Sequence, residues 1–232
     1  MCPNCDRFLI EPEKIDNLLN GVTTYDLVLI QKHILGIEPL VSPYKKIAAD
    51  ATKSGSITTF DIVEFRKLIL GIYENGGLPD DDWPAANAKS WRFIPKGHFD
   101  PNNNPSNPFN PPFPEIINCV IPSATEREFV AIKVGDVNDS ATPNERPAER
   151  PTIGLTWPNL RSTLGSIVTI PIIYSGTEPM EAVQIGLRFD PAVLQLIGPS
   201  LGDIESYLPE NFNLLKIAQG EIRTLWLPMT GE

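Results

Sequence analysis

Asp50, Thr52, Ser54, Thr58 and Asp61 set side-chain oxygens at the first, third, fifth, ninth and twelfth positions of one stretch, Asp50-Ala51-Thr52-Lys53-Ser54-Gly55-Ser56-Ile57-Thr58-Thr59-Phe60-Asp61. Gly55 stands at the sixth position, where a chain wrapping round a centre must turn sharply. Ser56 at the seventh offers its carbonyl, and Ile57 at the eighth can pin the loop to a core. Hard oxygen donors on a short loop suit Ca2+, which takes roughly six to eight oxygens in variable geometry. The alternative is a Ser- and Asp-rich turn ahead of a helix, with no metal. Asp50 and Asp61 are the only carboxylates of the stretch, so the expected affinity is weak, about 0.1–1 mM.

The elements that must hold this loop show themselves through an internal repeat. Val22-Thr23-Thr24-Tyr25-Asp26-Leu27-Val28 aligns with Ile57-Thr58-Thr59-Phe60-Asp61-Ile62-Val63, and Lys32, Ile34, Leu35, Gly36 and Ile37 align with Lys67, Ile69, Leu70, Gly71 and Ile72, all at an offset of 35. Each copy reads as a helix. Thr24 and Thr59 are candidate N-caps, and Asp26 and Asp61 bring negative charge to the positive helix end. Leu27, Ile30 and Ile34 recur at helical spacing, as do Ile62, Phe65 and Ile69. Gly36 and Gly71 are natural left-handed stops. Helices this short are marginal alone, so the two apolar stripes are expected to cover each other.

The first copy has a poorer loop. Counting back from Asp26 puts Ile15 at the first ligand position and Asn20 where glycine belongs. Asp16, Asn17, Asn20, Thr23 and Asp26 are the oxygen donors a rearranged first loop would use. The competing reading is a degenerate copy kept for packing.

The second loop is of the EF-hand type, except that Asp61 replaces the usual Glu at the twelfth position. A tandem of such loops with Asp at that position, each followed by a helix closing on Ile-Leu-Gly, resembles a dockerin over about residues 15–73. The phrase Asn20-Gly21-Val22-Thr23-Thr24-Tyr25-Asp26-Leu27 is similar to repeats in large surface proteins of Bacteroidetes-type bacteria. The resemblance implies calcium-induced folding and docking onto a cohesin partner. It places partner-facing residues at Thr24, Tyr25, Gln31, Lys32, Thr59, Phe60, Arg66 and Lys67. Tyr25 and Phe60 read equally well as core.

Residues 76–150 form a Pro- and Asn-rich connector. Proline disfavours helix, so an irregular arm with short strands at Ser90–Ile94, Glu115–Val120 and Phe129–Val134 is expected. Asp80, Asp81 and Asp82 read as a solvated turn. Asp136-Val137-Asn138-Asp139-Ser140 opens like a calcium loop, but Ala141 stands at the glycine position and Pro147 at the twelfth, where there is no side-chain oxygen. Asn138 also fits the N-glycosylation pattern.

Beyond residue 151 the texture becomes that of strands. Ile167–Tyr174, Ala182–Phe189, Val193–Ile197 and Ile222–Leu227 are separated by turn signals at Gly176, Asp190-Pro191, Gly198-Pro199 and Gln219-Gly220. Gly165 to Ile172, followed by Gly186-Leu187-Arg188-Phe189-Asp190-Pro191-Ala192-Val193-Leu194, resembles part of a cohesin-like jelly-roll, a fold shared with carbohydrate-binding modules. The expected architecture is thus multidomain α + β: a tail (1–14), a small helical EF-hand-like, dockerin-like pair (15–75), the connector (76–150) and a partial antiparallel β-sandwich (151–232).

Composition narrows the function classes. The formal charge is −10 and the isoelectric point about 4.7, which opposes nucleic-acid binding and suits a cation. No run approaches the ~18 apolar residues of a membrane span. Cys2 and Cys5 form a CxxC with no second ligand pair, and Cys119 stands alone. No Ser/His/Asp or Cys/His arrangement stands out, and only three Met are present, too few for a calcium sensor's groove. The reading is a non-catalytic, calcium-dependent docking or adhesion module, a piece of a secreted or cell-surface protein linked to polysaccharide degradation. The alternative is a carbohydrate-binding portion of a polysaccharide-degrading enzyme, with Trp157, Tyr174 and Trp226 stacking on sugars.

Overall fold

A computed structural model describes residues 7–14, 18–73, 90–99, 107–120, 128–143, 155–176, 180–200, 202–204 and 207–228. The chain has a mixed α + β character and divides into two compact units, Met1–Glu145 and Arg146–Glu232.

In the first unit the repeat becomes helices α1 (Thr24–Ile34) and α3 (Thr59–Leu70), joined through α2 (Pro43–Ala49). The caps fall one residue earlier than the sequence reading. Thr23 and Thr58 are extended, with φ −137° and −136°, and each gives its backbone N–H to the Asp three residues on. That is a capping box with Asp in place of Glu. Gly36 and Gly71 adopt φ 72° and 69°. The N–H groups of Ile37 and Ile72 each return 2.9 Å to the carbonyls of Lys32 and Lys67, closing both helices the same way. Helix α2 was not read from sequence, although Ser42-Pro43 carries the N-cap and N1 signal that could have found it.

Helices α1 and α3 pack together. Leu27, Ile30, Ile47, Phe65 and Ile69 are buried, while Ile34 is half-buried. The Pro-rich stretch contributes to this unit. Strands β2 (Trp91–Pro95) and β4 (Phe129–Lys133) pair antiparallel, Trp91 opposite Lys133, and β4 packs against α2. The N-terminal segment, read as a tail, instead forms β1 (Arg7–Ile10), paired antiparallel with β3 (Ile117–Val120). Its backbone N–H and C=O groups gain a ladder, which a tail lacks.

In the second unit β5 (Leu155–Thr156) pairs with β6 (Ile173–Tyr174), and β7 (Val183–Arg188), β9 (Glu221–Trp226) and β8 (Phe212–Asn213) form a three-stranded antiparallel sheet with β9 central. Along β7, Val183, Ile185 and Leu187 are half-buried and the residues between them exposed, as the alternation predicts. Two expected strands are not formed. Residues 167–172 make no ladder and lie exposed, and Pro171 has no N–H to give one. Val193 and Leu194 instead close a turn, both donating to the Asp190 carbonyl.

Candidate metal centre

The loop ahead of α3 is wrapped round its own oxygens. Asp50 sits at the end of α2 and Asp61 in the first turn of α3, so two helices aim a carboxylate each at the same loop. Asp50 Oδ1 accepts the N–H of Ser54 at 3.0 Å and Oδ2 that of Gly55 at 2.9 Å. Asp61 Oδ1 accepts from the N–H and hydroxyl of Thr52 at 3.2 and 3.1 Å. Its Oδ2 accepts from the N–H and hydroxyl of Thr58 at 2.8 and 3.2 Å. Ser54 Oγ lies 3.2 Å from the Ser56 carbonyl and 3.0 Å from Ser56 Oγ. Gly55 takes φ 75°, the left-handed turn that the sixth position demands.

Both carboxylates are buried. Burial raises the pKa of Asp50, the N–H of Gly55 partly offsets that, and the neighbouring Asp61 raises it further. The two carboxylates lie together out of water with neutral donors around them, and the positive charge of Arg92 also acts on Asp50. Among the described residues no three His, Cys, Asp or Glu side chains come together. A cation here would therefore be held by a mixed set, the carboxylates of Asp50 and Asp61 with oxygens of Thr52, Ser54, Ser56 and Thr58. That set has the chemistry of a calcium loop rather than of a zinc or iron site.

The donors proposed for the first loop separate. Asp16 and Asn17 lie outside the described residues. Asn20 turns away: its Nδ2 donates to the Thr142 carbonyl at 2.9 Å and its Oδ1 accepts the Thr142 N–H at 3.1 Å. An amide with both ends committed to backbone is a clasp between chain segments, not a ready ligand. Thr23 and Asp26 do meet, with Thr23 N and Oγ1 2.9 and 2.7 Å from Asp26 Oδ2. The other oxygen, Asp26 Oδ1, accepts the backbone N–H of Val137 at 2.9 Å. Burial pushes the Asp26 pKa up to about 6 against the pull of the Thr23 and Val137 donors, and the adjacent Asp136 adds to the rise. The segment 136–142, read from sequence as the opening of an interrupted calcium loop, therefore lies against Asp26 and Asn20.

The residues named for partner contact lie on both helices. Tyr25 and Phe60, equivalent in the repeat, are 50% and 67% exposed, which removes the core alternative for them. Thr59 is exposed, and Thr24, Gln31, Lys32, Arg66 and Lys67 are half-buried. Lys67 Nζ reaches the buried Glu64 carboxylate at 2.8 Å. Val63, Leu35, Ile37 and Ile72 add exposed apolar surface on α1, α3 and their ends.

No helix among the described residues is long and apolar enough to cross a membrane. No protein-family model, curated protein or solved structure matches the chain.

Proposed function

We propose that this chain is a non-catalytic, calcium-dependent protein–protein docking module of a secreted or cell-surface multidomain protein linked to polysaccharide degradation. In this reading the helix pair is dockerin-like, the second unit is part of a cohesin-like sandwich, and the natural partner is a cohesin-like domain. The observation that carries it is the closed loop 50–61, which brings Asp50 and Asp61 together out of water with hydroxyl and carbonyl oxygens beside them. The exposed aromatic pair Tyr25 and Phe60 supports the docking half of the reading, since exposed aromatics are the residue type that anchors interfaces.

Calorimetric titration of calcium into the whole chain tests it. Saturable heat with Kd about 0.1–1 mM is expected, falling in Asp50→Ala/Asp61→Ala. A wild-type chain giving no heat overturns the calcium reading, and a double variant giving unchanged heat overturns the assignment of calcium to loop 50–61. Binding to an immobilised cohesin-type domain, measured with calcium and with EDTA, tests docking; equal binding in both overturns calcium control.

A second reading, carbohydrate binding by the second unit, is favoured by one observation: Trp157 is 63% exposed. Affinity electrophoresis in polysaccharide gels separates it from docking, because retardation lost in Trp157→Ala and unchanged by EDTA belongs to the glycan reading alone.

A further inference from the structure

We infer that the first calcium site of this protein is a split loop, its ligand-rich half contributed by residues 136–141 and its closing half by residues 21–26. This rests on the calcium reading above and extends it to a site whose two halves are far apart in sequence.

The repeat itself says that a half is missing. Residues 21–26 align with positions seven to twelve of the loop 50–61, while the six residues ahead of them put Ile15 and Asn20 where the first aspartate and the glycine belong. The structure places a different six-residue segment there, and its aspartate makes the same two bonds as that of the intact loop. Asp136 Oδ1 accepts the N–H of Ser140 at 3.0 Å, as Asp50 Oδ1 accepts that of Ser54 at 3.0 Å. Asp136 Oδ2 accepts the N–H of Ala141 at 2.7 Å, as Asp50 Oδ2 accepts that of Gly55 at 2.9 Å. At the fourth position Asp139 and Lys53 share the left-handed conformation, φ 61° and 54°, which non-glycine residues seldom adopt. At the second position Val137 and Ala51 are both buried.

The join between the halves matches as well. Ser140 Oγ donates 3.1 Å to the carbonyl of Gly21, as Ser54 Oγ donates 3.2 Å to that of Ser56. Gly21 and Ser56 are the same repeat position, so the chain break falls between the sixth and seventh positions. There the two segments touch closely: a Cβ on Gly21 would stand 2.6 Å from the Ala141 nitrogen. Gly135 docks the incoming segment on the repeat, where a Cβ would meet Phe65 and Val22 at 2.9 and 3.0 Å. The bonds at the second and third positions differ: Asp26 Oδ1 takes the N–H of Val137 whereas Asp61 Oδ1 takes the N–H and hydroxyl of Thr52, and Asn138 Oδ1 accepts the Ser140 N–H at 3.0 Å.

A second observation, independent of the loop's shape, points to a cation. Asp26 is 0% exposed, and the donors that reach its carboxylate among the described residues are neutral, the N–H and hydroxyl of Thr23 and the N–H of Val137. The like charge of Asp136, itself buried, also acts on it. Lys45, which reaches this segment, pairs instead with the exposed Asp139. A buried carboxylate pair is costly, and a divalent ion held by Asp136, Asn138, Ser140, the Gly21 carbonyl, Thr23 and Asp26 removes the cost.

Calorimetric calcium titration of the whole chain, with hydrogen exchange on the same samples, tests the assignment. The wild type is expected to take two equivalents, Asp136→Ala one, Asp50→Ala one, and Asp50→Ala/Asp136→Ala none, while Asp16→Ala keeps two. In Asp50→Ala, calcium is expected to slow exchange at the amides of Val137, Ser140 and Ala141. Because Asp136→Ala removes two loop hydrogen bonds, Asn138→Ala, which removes one, serves as the milder variant. It is expected to weaken one of the two equivalents about tenfold at wild-type far-ultraviolet dichroism. Two equivalents surviving in Asp136→Ala, one equivalent in the wild type that Asp50→Ala abolishes, or no calcium binding at all each overturn the split site. One equivalent in the wild type that Asp136→Ala removes and Asp50→Ala leaves untouched supports it, and overturns only the assignment of calcium to loop 50–61.

Discussion

Val137 donates its backbone N–H to Asp26 Oδ1 at 2.9 Å, closing 111 residues of chain with one buried bond. Asp26 is also the residue that caps α1 through Thr23. The start of the first repeat helix and the end of the Pro-rich stretch are therefore held at the same carboxylate.

If calcium occupies these loops, chelation must lower stability. At roughly 10 mM calcium and a Kd of about 0.1–1 mM, each site stabilises the folded state by about 1.4–2.7 kcal/mol. Urea unfolding followed by the helix signal at 222 nm, with calcium and with EDTA, checks this. Coincident midpoints would leave the loops as turns only.

Gly21 and Gly55 have almost the same left-handed φ, 74° and 75°, but different surroundings. A Cβ at 55 would meet the Phe109 side chain at an ordinary 3.5 Å, whereas one at 21 would run into Ala141 backbone at 2.6 Å. Gly55→Ala is expected to cost about 1–2 kcal/mol for conformation alone. Gly21→Ala adds a backbone clash and is expected to cost about 2–5 kcal/mol in all. Chemical denaturation of the two variants gives the order; equal losses would mean that residues 21 and 141 do not touch.

Phe60 and Phe65 are five positions apart on α3 but face opposite ways, Phe60 being 67% exposed and Phe65 0%. Phe65→Ala is expected to cost about 3–5 kcal/mol and Phe60→Ser less than about 0.5 kcal/mol. Thermal denaturation distinguishes them. A costly Phe60→Ser would place that ring in the core and remove it from the proposed docking surface.

His33 Nδ1 accepts the backbone N–H of Leu40 at 3.1 Å, so the bond requires the neutral ring. Burial lowers the His33 pKa below its ordinary 6.5, and Lys46 lowers it further. The unfolded chain binds this proton more readily than the folded one. The stability from this group is thus fully present above pH 6.5 and is lost as pH falls through the lower, folded-state pKa. Denaturation midpoints measured between pH 7.5 and 5 should fall for the wild type and fall less for His33→Gln. Parallel profiles would show that the ring does not carry this dependence.

The second unit leaves large apolar side chains in water. Ile167, Val193 and Ile197 are exposed by 75% or more. Such surface binds hydrophobic dyes and promotes association. The whole chain is expected to enhance anilinonaphthalene sulfonate fluorescence, and Ile167→Lys/Ile197→Lys to reduce it. Unchanged fluorescence would mean that these side chains are covered in solution.

The two repeat helices, their glycine stops and the loop 50–61 were legible in the sequence because each depends on residues within a few positions of one another. Ser/Thr-x-x-Asp capping, 3.6-residue periodicity and left-handed glycines are local rules, and the offset of 35 displayed them twice. Helix α2 was missed although its signal was local. The strands at residues 167–172 and 193–197 were over-read, because an apolar run becomes a strand only when a neighbour pairs with it. The proposed first site needed the tertiary structure. Its aspartate at position 136 and its closing aspartate at position 26 belong to segments that no periodicity links, and a linear count from Asp136 ends on Pro147. Only the packing of Gly135 against Phe65 and Val22, and of Ala141 against Gly21, brings those carboxylates together. Burial then gives both oxygens of Asp26 fixed donors, from Thr23 on its own helix and from Val137 across the chain.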